Sequence, residues 1–264
     1  MSDVNFNETP PPKSNLLLGI ILGVCGCFGM LLIAVGILVA MLLPVIQALL
    51  PDIQTSRGTA IRMQCTNHMK QIGLAMHTYH DKYKCLPPVY TMDKDGNPLH
   101  SWRVLLLPFI EQTALYRQIH LDEPWDSEYN KQFHSQMVSA YSCPSNSGSM
   151  VGGTDYSVVV GEETPFHATG NSPKLSYIQD GTSNTICLVE RKTPICWMEP
   201  TQEITFEQAC QGINVSENGI GSNHSGGVNV GIFDGSIRFI SDTIDLDALR
   251  AAFTRAGGES IPLD

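Results

Sequence analysis

Residues 16–50 carry no charge and are almost wholly apolar, and over 51–83 apolar positions return at helical spacing among polar ones. About 20 apolar residues at ~1.5 Å rise already cross the ~30 Å hydrocarbon core of a bilayer. The run therefore predicts a transmembrane helix at 16–50, preceded by a short tail at 1–15. It is more than twice the about 7–15 residues of a secretory signal core, and no clear cleavage site follows it. A retained anchor is expected. Beyond it, steps of 100° per residue bring Ile61, Cys65, Met69, Ile72, Met76, Tyr79 and Tyr83 into an arc of roughly 80°, with Met63 and Leu74 as the exceptions. Such a stripe packs on a core. Residues 51–83 thus read as an amphipathic stalk continuing the anchor, which Pro44 and Pro51 are expected to bend or break because each lacks an N–H.

Residues 84–264 predict one globular domain, long enough for its own core. Stretches 102–108, 111–117 and 130–140 read as short helices. From Thr154 onward the texture changes to strands. Stretches 156–161, 185–190, 228–233 and 236–240 are rich in β-branched and aromatic residues, with Gly, Asn and Asp between them. Asp234-Gly235 separates the last two and predicts a hairpin, since that pair tolerates positive φ. Residues 245–255 read as a C-terminal helix. The expected class is α+β, a long N-terminal helix packed on a small antiparallel sheet.

Composition sets bounds on partners. The formal charge is −10, of which residues 1–15 contribute −1 and 16–50 nothing. The remainder is acidic, which opposes nucleic-acid binding. Of the eight cysteines, Cys25 and Cys27 lie in the apolar run, leaving Cys65, Cys85, Cys143, Cys187, Cys196 and Cys210. An even set of six without CxxC pairs favours disulfides over zinc ligands and an oxidising compartment. A count of Arg57, Arg62 and Lys70 against the single Lys13 argues for the opposite orientation. The cysteine argument is preferred, which puts the C-terminal domain on the extracytoplasmic, periplasmic side of a single-pass protein. Six cysteines allow fifteen pairings. The pairs expected are Cys65 with Cys143, tying the stalk to the domain, and Cys196 with Cys210, closing a local loop, although some of the six could simply be buried hydrophobes.

Several motifs occur together and in order. They are residues 62–81 (RMQCTNHMKQIGLAMHTYHD), 102–108 (WRVLLLP), 122–127 (DEPWDS), 143–145 (CPS), 180–184 (DGTSN) and 197–200 (WMEP), with His224 followed by nine residues and Asp234-Gly235. Together they resemble the domain-of-unknown-function 1559 family of bacteria, abundant as paralogues in planctomycetes, with its C-terminal H-x9-D-G signature. The resemblance covers nearly everything after Arg57. It implies a fold like type IV pilins and type II secretion pseudopilins, with a half-embedded helix on a small antiparallel sheet. Most members begin with a prepilin peptidase signature of the Gly-Phe-Thr-Leu-Ile-Glu kind. Here the stretch is Lys13-Ser-Asn-Leu-Leu-Leu-Gly19 with no Glu at the fifth position. A permanently anchored relative, rather than a processed subunit, is expected.

Candidate chemistry is sparse. No nucleophile elbow, HExxH, phosphate loop or dinucleotide fingerprint occurs. His224 and Asp234, with Gly235, read either as an imidazole and carboxylate that orient one another or as a hydrogen bond fixing the hairpin. Asp122, Glu123 and Asp126 surround Trp125 in an acidic turn. This turn could take calcium through its carboxylates, or Asp126 or Ser127 could cap the next helix. His77, His80 and Asp81 have ligand spacing on a helix, but surface roles are favoured. Gly19 and Gly23 form a GxxxG that permits close helix packing in lipid. The reading is a non-enzymatic, membrane-anchored envelope protein without a cofactor, acting by homo-oligomeric or secretion- or pilus-like assembly or by docking a partner. The alternative is an anchored ligand- or cation-binding module.

Overall fold

In the computed structural model the backbone is described over residues 16–146, 150–167 and 171–258. Side chains are described over the same residues except 16–34, 45, 46 and 48–54. The chain divides into two units, 1–56 and 57–264. Helix α1, Leu16–Tyr83, continues through both Pro44 and Pro51, so neither breaks it. Among the described residues no helix is long and apolar enough to cross a membrane. The predicted anchor at 16–50, with Gly19 and Gly23, lies largely outside the residues whose side chains are described.

In the second unit the predicted stripe is the buried face of α1 from Cys65 to Met76, while its last member, Tyr83, is 50% exposed. Cys65, Met69, Ile72, Ala75 and Met76 are buried, and Tyr79 packs against the same cluster. Met63 and Leu74, the two exceptions, are 62% and 67% exposed. Each fully buried aliphatic or methionine side chain contributes about 1.5–3 kcal/mol, so this face rather than helix propensity holds α1 in place. The helix stops at Lys84, whose φ of 61° belongs to the left-handed region and whose N–H bonds to His80 O at 2.7 Å. Pro87 and Pro88 then prevent its continuation.

A short hairpin follows, β1 (Tyr90–Met92) with β2 (Pro98–Ser101), then α2 (Trp102–Leu106) and α3 (Thr113–Tyr116). The hairpin escapes the sequence reading although Asp95-Gly96 marks its turn, with Gly96 at φ 86°. The helix expected at 130–140 is instead two 3-10 turns, Asn130–Phe133 and Ser139–Tyr141. Extended backbone at Val138 separates them.

The four-stranded antiparallel sheet has the order β3 (Gly153–Ser157), β5 (Ile186–Cys196), β7 (Gly227–Ile232), β8 (Ile237–Ser241). A separate parallel pair joins β4 (Val159–Val160) to β6 (Ile204–Thr205). The strand predicted at 156–161 is therefore split at Val158. The cause is a buried ion pair, because Glu203 accepts the Val158 N–H at 3.0 Å and Arg103 donates to Tyr156 O at 2.6 Å. Both backbone groups are thereby taken out of the ladder.

Side-chain alternation gives the main sheet two buried faces. Tyr156 and Leu188 join the α1 cluster. Val189, Val228, Val230, Ile232 and Ile240 join a second cluster with Phe206 of α4 (Phe206–Ala209) and Leu249 of α5 (Leu246–Ala251). The α4 start carries a capping box between Thr205 and Gln208. The Asp245 carboxylate accepts from Asp247 N and Ala248 N to cap α5. The expected α+β class with a small antiparallel sheet is what the structure has.

One glycine joins two parts of this unit. Gly152 has φ 69°, and a Cβ there would run into the carbonyl oxygen of His134. That obstacle is backbone and cannot swing aside, so Gly152→Ala is expected to destabilise the fold by about 1–3 kcal/mol, read as a lowered midpoint in a denaturant titration. An unchanged midpoint would mean that this crossing is not made.

Candidate functional site

The histidine of the H-x9-D-G pattern does not meet its aspartate. His224 sits in the turn before β7, held by Ser222, whose hydroxyl accepts from His224 N at 3.1 Å and donates to Gly227 O at 2.8 Å. Gly226, at φ 83°, turns the chain into the strand. Asp234 lies past the other end of β7, where its carboxylate accepts from Ser236 N at 2.8 Å and Gly235 takes φ 85°. Of the two readings of His224 and Asp234, the mutual orientation of imidazole and carboxylate is corrected, since a six-residue strand separates them, and the hairpin is fixed by Asp234 without His224. Asp234 and Gly235 build the hairpin turn, which lies beside His77 of α1. Burial pushes the Cys187 thiol up to about 12, with Asp234 adding to the effect.

His224 points instead at a set of buried groups gathered from four chain segments. Its Nε2 is 3.2 Å from Glu190 Oε1 and 3.5 Å from Cys143 Sγ. Cys143 forms a disulfide with Cys65 of α1, as expected. Glu190 lies in β5 and is buried, and both its oxygens are engaged by Asn229. Oε2 accepts the Asn229 main-chain N–H at 2.7 Å and Oε1 the Asn229 amide at 3.1 Å. Asn229 in turn accepts from the Thr66 hydroxyl of α1 at 3.4 Å.

The loop carrying Cys143 is fixed by Asp155 of β3, which accepts from Cys143 N at 2.6 Å and from the Asn146 amide at 2.7 Å. Burial raises the Asp155 carboxyl above its ordinary value despite these two donors. The Asn223 amide bridges to Ser145 O and Asn146 Oδ1, tying the His224 turn to the Cys143 loop. Beside them Arg191 donates to Ser157 Oγ and Gln202 O, and burial lowers it to about 10, so it stays cationic at neutral pH. Among the described residues, Cys65, Cys143, Glu190 and His224 are the group of metal-ligating side chains that converges, all buried and with ligand atoms within 4.8 Å of one another.

The acidic turn is satisfied from within. Glu123 Oε1 pairs with His120 Nδ1 at 3.0 Å and Oε2 accepts from Ser127 at 2.8 Å; these contacts, His120 first, hold its carboxyl below the usual range. Asp122 and Asp126 are exposed. Ser127 takes the capping role, its hydroxyl accepting from Asn130 N at 3.0 Å. On α1, His80 pairs with its neighbour Asp81 at 3.9 Å.

The expected Cys196–Cys210 disulfide is also corrected, because both are free thiols. Cys196, ending β5, packs on the α1 cluster, whereas Cys210, after α4, packs on the cluster behind the sheet. Opposite sides of a sheet cannot be bridged by a bond whose Cα atoms lie within about 7 Å. Glu190, Asp155 and Asn229 were missed by the sequence reading. The available signal was Glu190 itself, sharing a strand face with Leu188 by two-residue alternation and so destined for the interior.

A family model described as "Protein of unknown function (DUF1559)" matches residues 54–195 and 197–247. No curated protein and no solved structure matches the chain.

Proposed function

The chain belongs to the DUF1559 family, and from that premise we propose that it is a non-enzymatic, pseudopilin-like envelope protein. In this reading a single apolar span anchors it in the cell membrane. Residues 57–264 stand on the extracytoplasmic side and act by assembly with further copies or by docking a partner. The observation that carries the reading is the state of α1 in the first unit. Val35, Ile37, Leu38, Val39, Met41, Leu42 and Leu43 cover all sides of the helix and are 47–68% exposed. Such surface in water is unfavourable by about 25 cal/mol per Å², and a helix apolar all round belongs in a protein core or in lipid. The C-terminal stretch of the same helix lends its buried stripe to the core of the second unit, which supports the pilin-like reading. The non-enzymatic part draws on His224, which is 8% exposed and engaged by Glu190 and a disulfide.

The test is alkaline carbonate extraction of native membranes followed by cross-linking of the full-length chain in place. Retention in the membrane with a ladder at integer multiples of the protomer is the expected result. Release by carbonate would overturn the anchor, and a lone adduct with a different protein would replace assembly by docking.

A further inference from the structure

A structural disulfide gains nothing from a carboxylate and an imidazole placed against its sulfurs. Burying an ionised carboxylate costs several kcal/mol even with a partner, and apolar packing would serve a disulfide at least as well. Yet Glu190 and His224 are both buried at Cys143. Bond lengths of about 2.3 Å for Zn–S and about 2.0–2.2 Å for Zn–N and Zn–O give a tetrahedral shell with edges of roughly 3.3–3.8 Å. The observed edges are 3.2 Å (His224 Nε2 to Glu190 Oε1), 3.5 Å (Cys143 Sγ to His224 Nε2) and 3.8 Å (Cys143 Sγ to Glu190 Oε1). Cys65 Sγ lies within 4.8 Å of the others. The edge between the two sulfurs is shorter than such a shell allows, because a bond closes it.

The surroundings are those of a ligand set held in advance. Asn229 fixes both oxygens of Glu190, and Asp155 fixes the backbone of Cys143. Metal ligands are oriented by second groups of this kind. Independently, Tyr156 lies directly across the strand pair from Glu190. Its hydroxyl is buried and has no hydrogen-bond partner, although the charges of Glu190 and Asp155 act on it. A hydroxyl buried without a partner on the strand face that carries Glu190 calls for an explanation beyond apolar packing.

We propose that Cys65, Cys143, Glu190 and His224 form a redox-gated zinc site. In the disulfide form the site is closed. A dithiol reductant transfers two electrons and two protons to the Cys65–Cys143 bond, itself becoming a cyclic disulfide and leaving two thiols. One Zn²⁺ then displaces both thiol protons to solvent and is held by two thiolates, the Glu190 carboxylate and the neutral Nε2 of His224. In an oxidising compartment the closed form prevails, so loading requires metal to reach the chain before the sulfurs couple or after a reductant parts them. The inference stands apart from the anchoring reading, because it concerns residues 57–264 alone.

The experiment uses the full-length protein, reduced with a dithiol, freed of reductant without oxygen and titrated with Co²⁺ as the spectroscopic stand-in for Zn²⁺. One equivalent is expected to give a thiolate-to-cobalt charge-transfer band with tetrahedral d–d bands, both bleached by Zn²⁺. Unreduced protein gives neither. Combined Cys85→Ser, Cys187→Ser, Cys196→Ser and Cys210→Ser changes retain the bands, whereas Asn229→Ala weakens binding by about 10–100-fold. Bands absent from the reduced protein, or unchanged in Cys65→Ser/Cys143→Ser, overturn the assignment. Where that double variant does not accumulate, unchanged bands in His224→Gln, which leaves both sulfurs in place, overturn it equally.

Discussion

Glu203→Ala is expected to lower the unfolding free energy by about 3–5 kcal/mol, because it leaves buried charge without its counter-ion. The Arg103 and Glu203 side chains are 0% and 2% exposed. Arg103 Nη1 donates to Glu203 Oε1 at 2.6 Å and Nη2 to Oε2 at 3.3 Å, a bidentate pair. Glu203 also accepts from Trp102 Nε1 at 3.1 Å and from Val158 N at 3.0 Å. Removing it orphans two neutral donors and leaves the Arg103 guanidinium, still donating to Ser101 Oγ and Tyr156 O, without its counter-charge, and Arg191, on which Glu203 and Arg103 both act, loses part of its compensating charge. Urea titration is expected to show a lower midpoint at unchanged slope. The double change Arg103→Met/Glu203→Leu is expected to recover most of the loss, since apolar replacement of a whole buried pair is often neutral or better. A loss under about 1 kcal/mol for Glu203→Ala would mean that the pair is solvated and that the split between β3 and β4 has another cause.

The parts of this fold that were legible in the sequence are those set by periodicity. The stripe from Cys65 to Met76 needed only the 3.6-residue repeat, and Met63 and Leu74, which broke the repeat, are left exposed, as is Tyr83 at its far end. The β7–β8 hairpin needed only Asp234-Gly235 and its demand for positive φ. What failed depended on contacts between distant segments. Nothing local in residues 156–161 announces that Glu203 will capture the Val158 N–H and divide the strand. The spacing of His224 and Asp234 looked like a pair, but it is the length of β7 with its two flanking turns. At ~3.4 Å per residue that strand holds the ends roughly 20 Å apart. The site that does form was half visible. Cys65 with Cys143 was expected and is observed, whereas Glu190 was hidden in an apolar run and Asn229 in an alternation that looked like ordinary strand.

Replacing Cys65 and Cys143 together by serine is expected to cost about 4.5 kcal/mol of stability. The bond closes a loop with a sequence separation of 78 residues, and the chain-entropy relation gives roughly that value at 25 °C. The native contacts on either side of it remain. Met69, Ile72 and Met76 still bury the helix, His68 Nδ1 still meets Ser142 O at 2.8 Å, and Asp155 still holds Cys143 N. The variant is therefore expected to fold, with a lower denaturant midpoint and a native-like slope. A loss near zero would mean that the unfolded chain is already constrained between these residues. Reduction of the unsubstituted protein offers the sharper comparison, because it removes the same cross-link while keeping both sulfurs. The two samples should match in stability without metal. On addition of Zn²⁺ the reduced protein is expected to regain stability as RT ln(1 + [Zn²⁺]/Kd), about 2.7 kcal/mol at a hundredfold excess over Kd. The serine variant should not. Equal responses would place the metal elsewhere and leave the Glu190–His224 pair as packing for a disulfide.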